Sequence, residues 1–339
     1  MREIIIKKND ANQRLDKFLT KRFKTMPKSL MYKYIRTKYI KVNNKRCEIS
    51  TMLKEGDVLK LFIKDEFFDN ETTTENYDFL KAPKKLDIIY EDENIILLNK
   101  KPGVIVHPDD KYHFDSLISR VLHYLYDKGE YHPRDDKAFT PALVNRIDRN
   151  TGGIVIAAKN ADSLRILNAK MKSRELTKLY LCMVQGRLNR NHGILEGYLE
   201  KNEKKNKVTI SKIPTENSKY IKTEYRVVKT IGNNTLVEID LLTGRTHQIR
   251  AHMSSIGHPL LGDTKYGYKR KGENDIYKYQ ALYAYKITFE FETDAGCMEY
   301  LNGKSFQADE NQIWFLNNWY LGCKKMNYTE YKDILHKIL

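Results

Sequence analysis

The stretch Val144-Asn145-Arg146-Ile147-Asp148-Arg149-Asn150-Thr151-Gly152-Gly153-Ile154-Val155-Ile156-Ala157-Ala158-Lys159 decides how the rest of the chain is read. Ile154–Ala158 is apolar at every position, as a central strand buried on both faces must be. Immediately before it, Arg146, Asp148 and Arg149 crowd charge onto a turn that ends in glycine. Two guanidiniums beside a carboxylate favour its charged form. Such a carboxylate can serve as a nucleophile or charge stabiliser and is a poor general acid. It can equally be half of an Asp–Arg pair that ties down a tight turn, and these residues alone leave both readings open.

Upstream, Ile95–Leu98 reads as a second buried strand that runs into Lys100-Lys101-Pro102-Gly103-Val104-Ile105-Val106-His107-Pro108. Downstream, Ser163 is expected to cap a helix with Leu164, Leu167 and Met171 on one face. A strand follows over 176–184, with Lys178 and Tyr180 on one side and Leu179 and Leu181 on the other. If the apolar pair faces the core, Lys178 and Tyr180 face the cleft; Tyr180 also reads as an ordinary half-buried sheet residue. Val237–His252 predicts a strand, a turn at Gly244, and a helix capped by Thr246 and stopped near Gly257. That arrangement gathers Arg245, His247, Arg250 and His252 at a helix N-terminus, which attracts anions such as phosphate. A metal reading fails on spacing: His247 and His252 stand five apart, where zinc-binding helices need two His at i,i+4 with an acid. No phosphate-cradling or dinucleotide-binding glycine pattern occurs. Short apolar runs alternating with turns and two helical segments from Leu86 onward predict a mixed sheet with few helices, hence an α+β chain.

The 339 residues carry a formal net charge of +16, and residues 1–64 alone hold +12. That concentration points to contact with nucleic acid. Residues 65–80 hold six acids and no base, and read as a solvated linker between two domains. Before it, Leu15, Phe18, Leu19 and Phe23 repeat at helical spacing, with Asp10 or Asn12 as cap. A second helix after Met26-Pro27-Lys28-Ser29 carries Leu30, Met31, Tyr34 and Ile35 inward. Strands at Ile40–Val42 and Val58–Ile63 complete two helices and a β-hairpin. Lys33, Arg36, Lys38, Lys41, Lys45 and Arg46 are strung along them as a basic surface. No apolar run approaches the ~20 residues that cross a bilayer, the N-terminus lacks a signal-peptide pattern, and the four cysteines show no paired spacing. A cytoplasmic location is expected.

The run Ile35–Asn43, followed by Leu53-Lys54-Glu55-Gly56-Asp57, resembles the alpha-L RNA-binding domain named after a small-subunit ribosomal protein, although that family usually has Gly where Lys38 and Asn44 stand. Asn145–Gly153 resembles the His-Arg-Leu-Asp-Arg-Asp-Thr-Ser-Gly motif of RluA-type pseudouridine synthases. Thr243–His252, continued by Gly257-His258-Pro259 and Gly262-Asp263, resembles that family's Thr-Gly-Arg-Thr-His-Gln-Ile-Arg motif. Asn145 stands for His, Ile147 for Leu, Asn150 for Asp and Gly152 for Ser, and Tyr283 stands where His is usual.

The resemblance implies an enzyme that converts uridine in RNA to its carbon-linked isomer without a cofactor or metal. The family's catalytic aspartate carries over to Asp148, which attacks either the ribose anomeric carbon or the uracil ring. The target base has to be flipped out of its stack. Arg146 then matches the residue that fills the vacated place, Tyr180 the tyrosine that packs on the flipped uracil, and Arg250 the arginine that pairs with the aspartate. Lys178, Arg245, His247 and Gln248 are the further candidates for substrate binding. The expected organisation is an alpha-L domain at 12–64, an acidic linker at 65–80, a catalytic domain at 81–307 and an extension at 308–339, with a helix at Glu330–Ile338. A monomer acting on structured RNA is expected, without membrane attachment. The alpha-L branch favours large-subunit ribosomal RNA, with transfer RNA as the alternative target. Two other classes compete: a non-catalytic RNA-binding assembly factor, and a glycosidase-like hydrolase with Asp240 as its second carboxylate.

Overall fold

The computed structural model describes residues 1–69, 77–109, 114–133, 139–202, 206–270, 272 and 275–316. Near the N-terminus, strands β1 (Arg2–Ile5), β2 (Ile40–Val42), β3 (Lys45–Arg46) and β4 (Val58–Leu61) form an antiparallel sheet in the order β1-β4-β2-β3. Helices α1 (Leu15–Arg22) and α2 (Lys28–Arg36) pack on it, burying Leu15, Phe18, Leu19, Met31 and Ile35 against Ile40, Leu59 and Leu61. The folded unit therefore reaches N-terminal of residue 12, because Ile4 and Ile5 pair with Leu59 and Val58. It also reaches beyond residue 64. In the short helix α3 (Glu66–Asp69), Phe67 and Phe68 are buried in the same core, so the acidic stretch is not solvated throughout. Neither Asp10 nor Asn12 caps α1; its N-cap is Arg14, whose guanidinium grips Asp16 in the first turn.

The rest of the chain builds one sheet of eleven strands. In chain order they are β5 (Ile88–Glu91), β6 (Ile95–Lys100), β7 (Ala142–Leu143), β8 (Gly152–Ala158), β9 (Leu176–Gln185), β10 (His192–Asn202), β11 (Lys207–Ser211), β12 (Lys219–Ile231), β13 (Asn234–Asp240), β14 (Leu282–Phe289) and β15 (Ser305–Gln307). The spatial order is β11-β10-β12-β13-β9-β14-β8-β6-β5, with β15 beside β14 and β7 beside β8. Strand β8 is buried at every residue, as its sequence requires. It runs parallel to β14, and the other strand pairs are antiparallel. Gly152 and Gly153 permit that pairing: Gly153 has φ +113°, and a Cβ there would lie 2.2 Å from the Ala284 carbonyl oxygen.

Helices α4 (Leu117–Asp127), α5 (Ala161–Ser173) and α6 (Gln248–Ser255) complete this unit. The cap of α5 is Asn160 rather than Ser163; its Oδ1 accepts from the Ser163 amide at 2.9 Å and hydroxyl at 2.8 Å. Residues 308–316 belong to this unit's core, since Ala308, Ile313, Phe315 and Leu316 are buried beside Tyr283 and Tyr285. The helix expected at Glu330–Ile338 lies outside the described residues. Among the described residues no helix is long and apolar enough to cross a membrane.

Candidate active site

The turn before β8 meets the start of α6. Asp148, about a quarter exposed, accepts from Arg250 Nη1 at 2.8 Å through its Oδ2. The same guanidinium grips Asp263 with its other two nitrogens, Nε to Oδ2 at 2.6 Å and Nη2 to Oδ1 at 2.9 Å. This planar fork, used on two sides, fixes Arg250 as no single contact would. Arg250 and Asp263 are both buried, and taking one partner from such a pair costs ~3–5 kcal/mol. Asp263 owes its place to Gly262: φ there is +77°, and a Cβ would lie 2.0 Å from the Tyr279 carbonyl. The role of Asp263 is not visible in sequence, because nothing in the run Gly262-Asp263 shows which cation it faces.

Tyr180, on β9, is buried beside this carboxylate. Burial first, and then the charge of Asp148, push its phenol well above the ordinary range, so it stays protonated. His247 is half-buried, with Nε2 3.7 Å from Asp148 Oδ2 and Nδ1 2.9 Å from the Tyr266 hydroxyl. Burial lowers its pKa, which leaves the ring neutral at neutral pH. Tyr266 also lies under the Arg250 guanidinium, 5.0 Å from ring centroid to Cζ.

The turn carrying Asp148 is held from below. Lys100 is buried and donates to the carbonyls of Lys101, Val104 and Arg149 at 3.1, 2.9 and 2.9 Å. Burial pushes this ammonium down to about 7, against the opposing charge of Asp148. Arg149 acts with it: its Nε donates to the Gly103 carbonyl at 3.0 Å, and its own carbonyl accepts from the Gly103 amide at 2.9 Å. Arg149 thus ties down the turn that carries Asp148.

The other candidates divide. Arg146 is exposed on the same turn, and its charge helps lower the His107 pKa, which burial depresses first. Lys178 is paired in charge with Asp240 instead of Asp148, and burial pushes it down to about 8. Gln248 is buried and spends its amide internally: Oε1 accepts from the Thr243 hydroxyl and the Arg245 amide, and Nε2 donates to the Lys222 carbonyl and the Thr223 hydroxyl. It braces α6, as does His252, whose Nδ1 meets Thr223 Oγ1 at 2.8 Å. The side chains of Arg245, His247, Arg250 and His252 therefore do not converge on one helix N-terminus. Helix α6 begins at Gln248, not after a Thr246 cap, because His247 takes the left-handed conformation at φ +55°.

This geometry has relatives. The sequence profile of the RNA pseudouridylate synthase family matches residues 94–255, which span Asp148, Tyr180 and Arg250. An RNA pseudouridine synthase of Mycoplasma capricolum is 36% identical over 313 residues, 90% of this chain and 96% of the relative. The chain belongs to the RNA pseudouridine synthase family. Ribosomal large subunit pseudouridine synthase C of Vibrio cholerae is 33% identical over 79% of this chain and 81% of its own length. The structure of human RNA pseudouridylate synthase domain containing 4 shares the fold, with a TM-score of 0.55 at 18% identity, over 69% of this chain and 93% of that one. Pseudouridine synthases are isomerases, and the α+β architecture with a large mixed sheet expected from sequence agrees with their fold.

Proposed function

We propose that the protein isomerises uridines of large-subunit ribosomal RNA in the cytoplasm, with Asp148 as the attacking group. The observation that carries this reading is the Asp148 carboxylate, held at 2.8 Å by Arg250 with the protonated Tyr180 beside it. In the reaction C1′–N1 breaks, C1′–C5 forms, and the proton lost from C5 is matched by one gained at N1. No redox partner or group donor is needed. Arg250 aims the carboxylate, Tyr180 offers its ring to the flipped uracil, and exposed Arg146 takes the vacated stack. Base–aromatic stacking of this kind is worth ~1–3 kcal/mol. The names of the Vibrio cholerae and related proteins support large-subunit ribosomal RNA as the target.

The N-terminal unit is proposed as an alpha-L-type RNA-binding domain. Lys33, Arg36, Lys38, Lys45 and Arg46 are exposed there and Lys41 is half-buried, a surface suited to phosphates. The test is an unmodified large-subunit ribosomal RNA transcript, incubated with the protein and mapped for pseudouridine. The wild type is expected to form it at discrete positions. Asp148→Asn keeps the size and hydrogen bonding but removes the nucleophilic charge, and is expected to form none while still binding the transcript. Turnover by Asp148→Asn near the wild-type rate would refute the assignment of Asp148.

A further inference from the structure

His247 faces Asp148 at a distance too long for a hydrogen bond and too short to be irrelevant. Which ring nitrogen carries its proton follows from the far side of the ring. The Tyr266 hydroxyl oxygen accepts from the Val208 backbone amide at 2.9 Å, and that amide can only donate. The hydroxyl proton therefore has one partner among the described residues, His247 Nδ1 at 2.9 Å. Were Nδ1 protonated instead, a buried tyrosine would accept twice and leave its own proton without an acceptor, which is the costly arrangement. Nδ1 is thus the acceptor, and Nε2–H points at the cleft.

We propose that His247 is a catalytic hydrogen-bond donor, locked in its Nε2–H form by Tyr266 and Val208, and that it meets the uracil carbonyl oxygen on which negative charge develops. The proposal rests on the isomerase reading above but not on which atom Asp148 attacks. Cleavage of C1′–N1 sends its electron pair into the ring, onto the carbonyl oxygens. Addition of the carboxylate to the ring sends a pair to a carbonyl oxygen as well. A fixed donor near Asp148 Oδ2 stabilises the charge on either route, as preorganised donors do in other enzymes. The charged groups around the imidazole are Asp148 and Asp263, which favour its cation, and Arg250 and Lys265, which oppose it. Burial outweighs them and disfavours the cation, so the resting ring offers one N–H and is a poor general acid. Tyr266 is then a positioning residue. It is delivered by the same turn as Asp263, so one short segment aims both Arg250 and His247.

Two measurements test this. Long-range proton–nitrogen NMR of the RNA-free protein is expected to show the Nε2–H form of His247 in the wild type and a mixture of forms in Tyr266→Phe. Single-turnover rates on the large-subunit ribosomal RNA transcript are expected to fall ~100-fold in His247→Ala, with RNA affinity unchanged. His247→Gln keeps a side-chain N–H at nearly the same reach and is expected to restore most of that loss. The wild-type rate is expected to show no His247-dependent acid limb between about pH 7 and 8, above the ordinary imidazole value. An Nδ1–H form in the wild type would overturn the proposal. So would a normal rate in His247→Ala, or an acid limb abolished by His247→Gln, which would make the residue a base. A wild-type protein that forms no pseudouridine would overturn the isomerase reading itself, an outcome distinct from an active wild type with an equally active His247→Ala.

Discussion

Gly152 and Tyr283 are two departures from the pattern this chain resembles, and in the fold they are one. A Cβ on residue 152 would lie 2.4 Å from the Tyr283 ring, so the serine usual at 152 has no room beside a tyrosine at 283. The larger ring fills the space the smaller residue vacates, and its hydroxyl donates to Asn99 Oδ1 at 2.6 Å. Gly152→Ser alone is expected to cost ~1–3 kcal/mol through overpacking. Combined with Tyr283→His, it is expected to cost less than the two single changes added, by ~1–3 kcal/mol. Denaturant melts of the two single variants and the double variant measure that coupling, and simple additivity would show the two sites to be independent. At this scale the sequence was legible where a motif names its residue, as at Asp148 and Arg250. It was not legible at Asp263, Tyr266 or Lys100, whose roles arise from contacts between segments far apart in the chain.

At the scale of elements, hydrophobic spacing found α1, α2, α5 and α6 and the strands β6, β8 and β9, but it passed over β1 and over α4, a third helix where two were expected. The ends of the elements were set by conformations that spacing does not report. Helix α2 closes through a left-handed residue: Lys38 has φ +67°, the Tyr39 amide donates to the Tyr34 carbonyl at 2.9 Å, and the Lys38 amide donates to Ile35 at 3.2 Å. This is the Schellman ending, in which glycine is the usual residue because a Cβ is disfavoured there. That explains why the alpha-L pattern has Gly at this position, and likewise at Asn44, where φ is +64°. Lys38→Gly is expected to raise stability by ~1 kcal/mol, and Lys38→Ala, which keeps the Cβ, is expected not to. Thermal melts of the two variants decide, and equal stabilities would mean that the turn carries no strain. The same Lys38→Gly change is expected to lower the salt slope of RNA binding by about one if Lys38 contacts a phosphate. The charge that makes the domain bind would then have been kept at the expense of its turn.

At the scale of the molecule, the division between the two units is visible in how their cores are built. Among the described residues, the N-terminal core draws on residues between Ile4 and Phe68, and the remaining cores on residues from Tyr77 onward. The acid-rich stretch 65–80 falls between these cores, and its composition concealed the aromatic residues that belong to either side. Phe79 packs on the rings of Tyr126 and Tyr131, and Tyr77 packs on Tyr126. A chain cut at Lys81 would lose both, so the cut belongs at Tyr77. Across the border Asn12 Nδ2 donates to Asp162 Oδ2 at 2.8 Å in an exposed position, a contact worth about 1 kcal/mol or less. The chain beginning at Tyr77 is therefore expected to fold, with a cooperative melt of its own. It is expected to keep Asp148-dependent isomerisation at high RNA concentration, since Asp148, Tyr180, His247, Arg250 and Asp263 all lie within it. Its affinity for structured RNA is expected to be lower and to fall less steeply with salt, because fewer phosphates are neutralised. Filter binding across a salt series measures both. A folded but inactive truncation would mean that the N-terminal unit helps to build the site, and an unchanged salt slope would mean that its +12 charge does not touch the RNA.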